Sequence, residues 1–250
     1  MDLKKHISLI ATLSFTFIFS SAFADSSKNI LIVGDSHSYG PYGAVLDNFY
    51  RNQGHKVSSY ASCGSSPSTW VRSSSNFQQT NCGYWSKSPS GKETRVNSHK
   101  LPSFQEALNQ SQPDLTIISL GTNALSSPQN IQNEVRQAER LMDSIKKANS
   151  ECVWIGPPDN DKKPFSTNLA QGVVAFRAAA EKNGCKFIDS TKYTKYPKGK
   201  SDGIHYGPKD SKAWGEGVVK ELAKIDIKAN SVSSSGSAGR EKTSSAAGVR

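Results

Sequence analysis

The sequence predicts an α/β domain built on a parallel sheet covered by helices on both faces. Two observations carry this. Short, wholly apolar runs end in glycine or proline, as buried parallel strands do, and segments with a 3.6-residue apolar period separate them. Three such runs, at 29–33, 114–121 and 152–158, and two further strand-like segments, at 56–62 and 186–190, make the expected sheet one of five parallel strands.

The first 24 of the 250 residues stand apart from this pattern. Lys4 and Lys5, the apolar stretch Ile7 to Phe19 and Ala22-Phe23-Ala24 read as a cleavable export signal, with the mature chain beginning near Asp25. The apolar stretch is too short for a confident membrane span, so stable membrane insertion after cleavage is not expected. The folded domain is expected over 25–228.

"NILIV" at 29–33 is the first strand, bounded by Gly34, and Ala44 to Tyr50 follows as a helix stopped by Gly54. "KVSSYAS" at 56–62 is the second strand. "DLTIISLG" at 114–121 is the third; after it Ile131, Val135, Ala138, Leu141, Met142 and Ile145 fall on one helix face. "CVWIGPP" at 152–158 is the fourth strand, Leu169 to Asn183 a helix, and "KFIDS" at 186–190 the fifth strand. A last helix from Pro208 to Lys224 buries Trp214, Val218 and Leu222. Between them, residues 63–113 form a long polar stretch without strong periodicity, of the kind that serves as a binding loop. From 229 to 250 the Ser/Gly-rich sequence lacks aromatic residues and is expected to be a disordered tail.

Cys63, Cys82, Cys152 and Cys185 all lie in the exported part. An even count in an oxidising compartment predicts two disulfides, and local stapling favours Cys63 with Cys82 and Cys152 with Cys185. No zinc-type spacing of Cys and His is present, and no metal or cofactor is expected. The formal charge is +10, falling to +9 without the signal, which suggests attraction to anionic envelope polymers; simple solubility explains it as well. No helix-turn-helix, RNP or zinc-finger pattern points to nucleic acid.

Ligands of an open parallel sheet bind beyond the carboxyl ends of its strands. The first strand ends in Gly34-Asp35-Ser36. Ser36 there is either the cap of the next helix or a nucleophile, with Asp35 beside it as a substrate contact. A serine nucleophile needs a base. His205 lies three residues after Asp202 in "SDGIHYG", so a turn can bring the carboxylate onto its imidazole. His37 adjoins Ser36 but its side chain diverges from it, and His55 and His99 lack an acidic neighbour. Asn123, in Gly121-Thr122-Asn123, and the backbone of Gly64 are candidate oxyanion donors, or else ordinary turn residues; Gly83 competes with Gly64. Trp70 and Trp85 in the long stretch present flat rings suited to sugar faces or to a small satellite core. Pro157 is expected to line an acyl pocket. "KYTKYPKGK" at 192–200 offers four lysines to a carboxylated glycan, or is a solvated loop.

Gly34-Asp35-Ser36, Gly64, Gly121-x-Asn123 and Asp202-x-x-His205 together resemble the SGNH hydrolases, the GDSL esterase/lipase family, over residues 29 to 224. The resemblance implies a three-layer, flavodoxin-like α/β/α sandwich. It implies that Ser36 attacks an ester carbonyl, that His205 is the base oriented by Asp202, and that Ser36, Gly64 and Asn123 form the oxyanion hole. The continuation to His37 resembles carbohydrate acyl-modifying members. The expected protein is therefore an exported esterase acting on an acylated carbohydrate. An acyltransferase with the same triad, and a non-catalytic glycan-binding module on the same fold, are the alternatives.

Overall fold

The computed structural model describes residues 27–71, 78–79, 83–199 and 202–227. The expected export signal, Cys82, Lys200 and the C-terminal tail lie outside them. The elements are β1 (Asn29–Gly34), α1 (Pro41–Arg51), β2 (Lys56–Ser62), α2 (Pro67–Val71), β3 (Gln78–Gln79), β4 (Tyr84–Lys87), β5 (Glu93–Val96), β6 (His99–Lys100), α3 (Phe104–Ser111), β7 (Leu115–Ser119), α4 (Pro128–Lys147), β8 (Glu151–Ile155), α5 (Phe165–Lys182), β9 (Lys186–Ile188) and α6 (Pro208–Leu222). The main sheet runs β5-β4-β2-β1-β7-β8-β9.

The five parallel strands are those read from the sequence. The sheet nevertheless has seven, because β4 pairs antiparallel with β2 and β5 antiparallel with β4. That hairpin comes from the polar stretch taken for a loop.

β1 is the central strand. Its residues alternate between two cores, as the two-residue strand period requires. Leu31 and Val33 join Trp70, Phe104, Ile118, Leu141, Trp154 and Phe176 on one face. Ile30 and Ile32 join Tyr42, Leu46, Ile117, Trp214 and Val218 on the other. The second layer is made by α1 and α6, and the first by α2 to α5. Each fully buried side chain of this size stabilises the fold by about 1.5–3 kcal/mol, and helix positions outside the apolar stripes are left to polar residues. Glu134 is an exception: it is buried, and its carboxylate accepts the Ser68 backbone N–H at 2.8 Å and the Ser68 hydroxyl at 2.7 Å, fixing α2 on α4.

β1 is flanked by β2 on one side and β7 on the other, so the strand order reverses there. The crevice at such a switch point is where open α/β sheets place their sites. Gly34 to Ser36 and Ser119 to Asn123 sit at its two lips.

Candidate active site

The chain turns sharply after β1. Ser38 N–H bonds to Asp35 C=O, Tyr39 N–H to Ser36 C=O and Gly40 N–H to His37 C=O, before α1 starts at Pro41. A Cβ on Gly34 would lie 2.0 Å from Ser38 Oγ, so the turn folds back over a position only glycine fits. The helix cap is Gly40, not Ser36. The proline at the first helical position sets that start, and the Ser36 hydroxyl is left for another partner.

That partner is His205. The Ser36 hydroxyl donates to His205 Nε2 at 2.8 Å, and His205 Nδ1 lies 2.5 Å from Asp202 Oδ2. The backbone N–H groups of Ile204 and His205 also donate to Asp202 Oδ1, at 2.9 and 2.8 Å. Partial burial pushes the Asp202 carboxyl up, but the bonds from the His205 ring and from these N–H groups outweigh it and hold the group well below the ordinary range. The turn carrying the pair is secured from behind. Gly203, at φ +83°, brings its backbone against Lys162, and its C=O accepts the N–H groups of Asp161 and Lys162. Tyr196 accepts the Gly203 N–H at 3.1 Å and donates its hydroxyl to the His205 C=O at 3.2 Å.

On the opposite lip, Asn123 Nδ2 donates to Ser65 C=O at 2.8 Å, while Ser65 Oγ donates to Gly34 C=O at 3.3 Å. These bonds gather Asn123, the Gly64-Ser65 turn and the end of β1 in one place. Gly64 is exposed at φ +71°. Gly83 is buried under Tyr39 and Val96, and its C=O accepts the Cys63 N–H. Of the two competing glycines, Gly64 is the one whose backbone lies open beside the site.

Several expected substrate contacts lie elsewhere. Asp35 is 2 % exposed, and its Oδ1 accepts the His37 N–H at 3.0 Å. It faces the interior because the turn after β1 swings Ser36 outward. Trp70 is fully buried in the α2–α5 core, and its indole N–H donates to Ser65 Oγ, so it supports the Gly64-Ser65 turn from below. Trp85 is buried too, its N–H given to Glu93 and its face covered by the Arg95 guanidinium at 5.1 Å. Pro157 is buried beneath Gly121. With Asp35, His37, Ser119, Thr122 and Trp214 it lines a closely packed seam that has no room for a water molecule. The tyrosines of "KYTKYPKGK" are engaged inside the fold, Tyr193 on Glu221 and Tyr196 on the Gly203–His205 turn, while Lys195 is exposed.

Sequence reasoning missed Tyr39 and Arg95. Arg95 Nη1 donates to Tyr39 C=O at 2.7 Å, three residues from Ser36, and its guanidinium covers the Tyr39 ring at 5.0 Å. No periodic signal in the polar stretch marked it. Cys152 and Cys185 are disulfide-bonded as expected, and Cys63 is also disulfide-bonded. Cys82, its expected partner, lies outside the described residues. Among the described residues no helix is long and apolar enough to cross a membrane.

Comparison with known proteins places this geometry. The chain is 26 % identical over 211 residues to Protein BcsX of Komagataeibacter xylinus, covering 78 % of each. A putative arylesterase from Agrobacterium tumefaciens superposes with a TM-score of 0.56 at 17 % identity, over 79 % of this chain and 99 % of the other. A carbohydrate acetylesterase family member from Sinorhizobium meliloti gives 0.55 at 16 %, over 78 % and 97 %. These structures share the fold. The family model described as GDSL-like Lipase/Acylhydrolase matches residues 30–218, most of the domain and all of the candidate site, and the chain belongs to that family of ester-hydrolysing serine enzymes.

Proposed function

We propose that this protein is an exported esterase that removes O-acetyl groups from a cell-wall or other envelope glycan through an acyl-enzyme. The observation that carries the reading is the continuous line from the Ser36 hydroxyl through both nitrogens of His205 to the Asp202 carboxylate.

In this reading Ser36 Oγ attacks the acetyl carbonyl carbon while its proton passes to His205 Nε2. The carbonyl oxygen becomes an oxyanion held by the Ser36 and Gly64 backbone N–H groups and the Asn123 amide. Losing one such donor costs about 3 kcal/mol of barrier stabilisation. Collapse breaks the bond to the sugar oxygen, which takes the proton from His205, and leaves acetyl on Ser36. Water then attacks through the same base and releases acetate. Asp202 keeps Nδ1–H pointed at itself and stabilises the imidazolium.

Three features support the rest of the proposal. The His205 and Asp202 side chains are 45 % and 44 % exposed, so an acetyl group borne on a polymer reaches them without threading a tunnel. Export is supported by the leader-like first 24 residues and by the Cys152–Cys185 disulfide. The exposed Lys162 and Lys195, near the Asp202 turn, would favour an anionic polymer.

The test is hydrolysis of p-nitrophenyl acetate by the purified chain beside Ser36→Ala. The expected loss in kcat is on the order of 10³-fold or more. Turnover indifferent to that substitution overturns the serine mechanism. Acetate release from O-acetylated peptidoglycan, set against acetylated xylan and a simple acetate ester, tests the substrate. No preference for either glycan overturns the carbohydrate assignment.

A further inference from the structure

His205 stands on an exposed turn, and its two ring bonds fix the imidazole only within its own plane. Nothing in those bonds stops the ring from tilting out of line between Ser36 and Asp202. A second imidazole lies against it. The His37 ring centroid is 5.3 Å from that of His205, inclined at 46°. On its other side His37 meets the Trp214 ring edge-on at 5.3 Å. Trp214 stacks on Tyr42 at 3.6 Å, and the Tyr42 hydroxyl pairs with Ser119 Oγ at 2.9 Å. The row Tyr42, Trp214, His37, His205 therefore runs from the core out to the site. The His37 backbone is gripped by Asp35 Oδ1, the residue is 6 % exposed, and its Nε2 is buried without a hydrogen-bond partner.

A histidine used for proton transfer has a partner at the nitrogen that works. One used as a plate does not need it. We propose that His37 is a positioning residue whose buried ring braces the face of His205 and holds that imidazole in line between Ser36 and Asp202. The inference rests on the esterase reading above. Burial and the neighbouring His205 push the His37 imidazole down to about 3, so it stays neutral beside the imidazolium that each acylation forms.

The experiment compares His37→Ala, His37→Gln and His37→Phe on p-nitrophenyl acetate, with kcat and KM separated and Ser36→Ala as the control. Small misplacement of a catalytic group costs up to about 10²-fold, so His37→Ala and His37→Gln should lower kcat by about 10- to 100-fold. Their KM should stay within about twofold, because the loss falls on the chemical step. His37→Phe, a flat ring without nitrogen, should recover most of kcat. If His37→Ala fails to fold, the contrast between the Gln and Phe variants decides. Wild-type kcat in the Gln variant overturns the brace, and so does a Phe variant as slow as Gln, which would assign His37 a proton-carrying role. Absence of Ser36-dependent turnover in the wild type overturns the esterase reading, and this proposal with it.

Discussion

Asp35 and His37 are neighbours in sequence, both buried, and burial drives them in opposite directions. Desolvation raises the Asp35 carboxyl to about 7, partly offset by the His37 N–H and by His205. Between its ordinary 3.8 and about 7, the folded chain keeps a proton that the unfolded chain has released, so stability falls as pH rises through that window. His37 is lowered to about 3. Between about 3 and 6.5 the unfolded chain binds a proton that the folded chain refuses, so stability rises with pH there. The two slopes oppose each other from about pH 4 to 6.5. Urea midpoints across that range should be nearly flat for this pair in the wild type. Asp35→Asn should unmask a rise and His37→Phe a fall, each of up to about 1.4 kcal/mol per pH unit. Parallel profiles in the two variants would refute the assignment. The meeting of Ser36, His205 and Asp202, and the placing of Asn123 on the opposite lip, were legible at this scale because spacing and position at strand ends mark side chains that face the crevice. Asp35 was read as a substrate contact and is buried, and of the two readings open for Trp70 and Trp85 their burial fits the core one, because residue type does not say which way a side chain faces.

The five parallel strands and their long helices were legible as apolar runs and stripes, since burial on two faces leaves no room for polar residues. The β4–β5 hairpin was not. Its strands lie at the sheet edge, β5 has no buried position, and Tyr84 and Trp85 are buried consecutively rather than in alternation. Besides its backbone pairing with β2, the hairpin is held by charge. Asp47 of α1 is fully buried, accepts from Ser59 of β2 at 2.8 Å, and pairs with Arg51 and with Lys87 of β4 at 2.8 and 2.7 Å. Removing one partner of a buried ion pair costs about 3–5 kcal/mol. Asp47→Asn should therefore destabilise the chain by about that amount. Hydrogen exchange should speed up at the Tyr84–Lys87 amides before those of β1. Uniform loss of protection along the whole sheet would show that Asp47 does not act as the hairpin's anchor.

Across the whole molecule, the Cys152–Cys185 disulfide and the candidate site lie at opposite ends of the sheet. The Cys152–Cys185 disulfide joins the start of β8 to the residue before β9. Ser36, Asn123 and the Asp202 turn lie beyond the other ends of the strands, more than about 10 Å away at the usual rise per residue. Closing a 33-residue separation lowers the entropy of the unfolded chain and contributes about 3–4 kcal/mol in the chain-entropy model. The Cys63 bridge is different, because Cys63 directly precedes Gly64 at the site. Substitution is therefore a cleaner probe than reductant, which attacks both. The double variant Cys152→Ala, Cys185→Ala should lower the unfolding free energy by about 3–4 kcal/mol, yet keep kcat on p-nitrophenyl acetate within about twofold at a temperature where the variant stays folded. Loss of activity in a variant whose circular dichroism remains native would show that the sheet transmits strain from one end to the other.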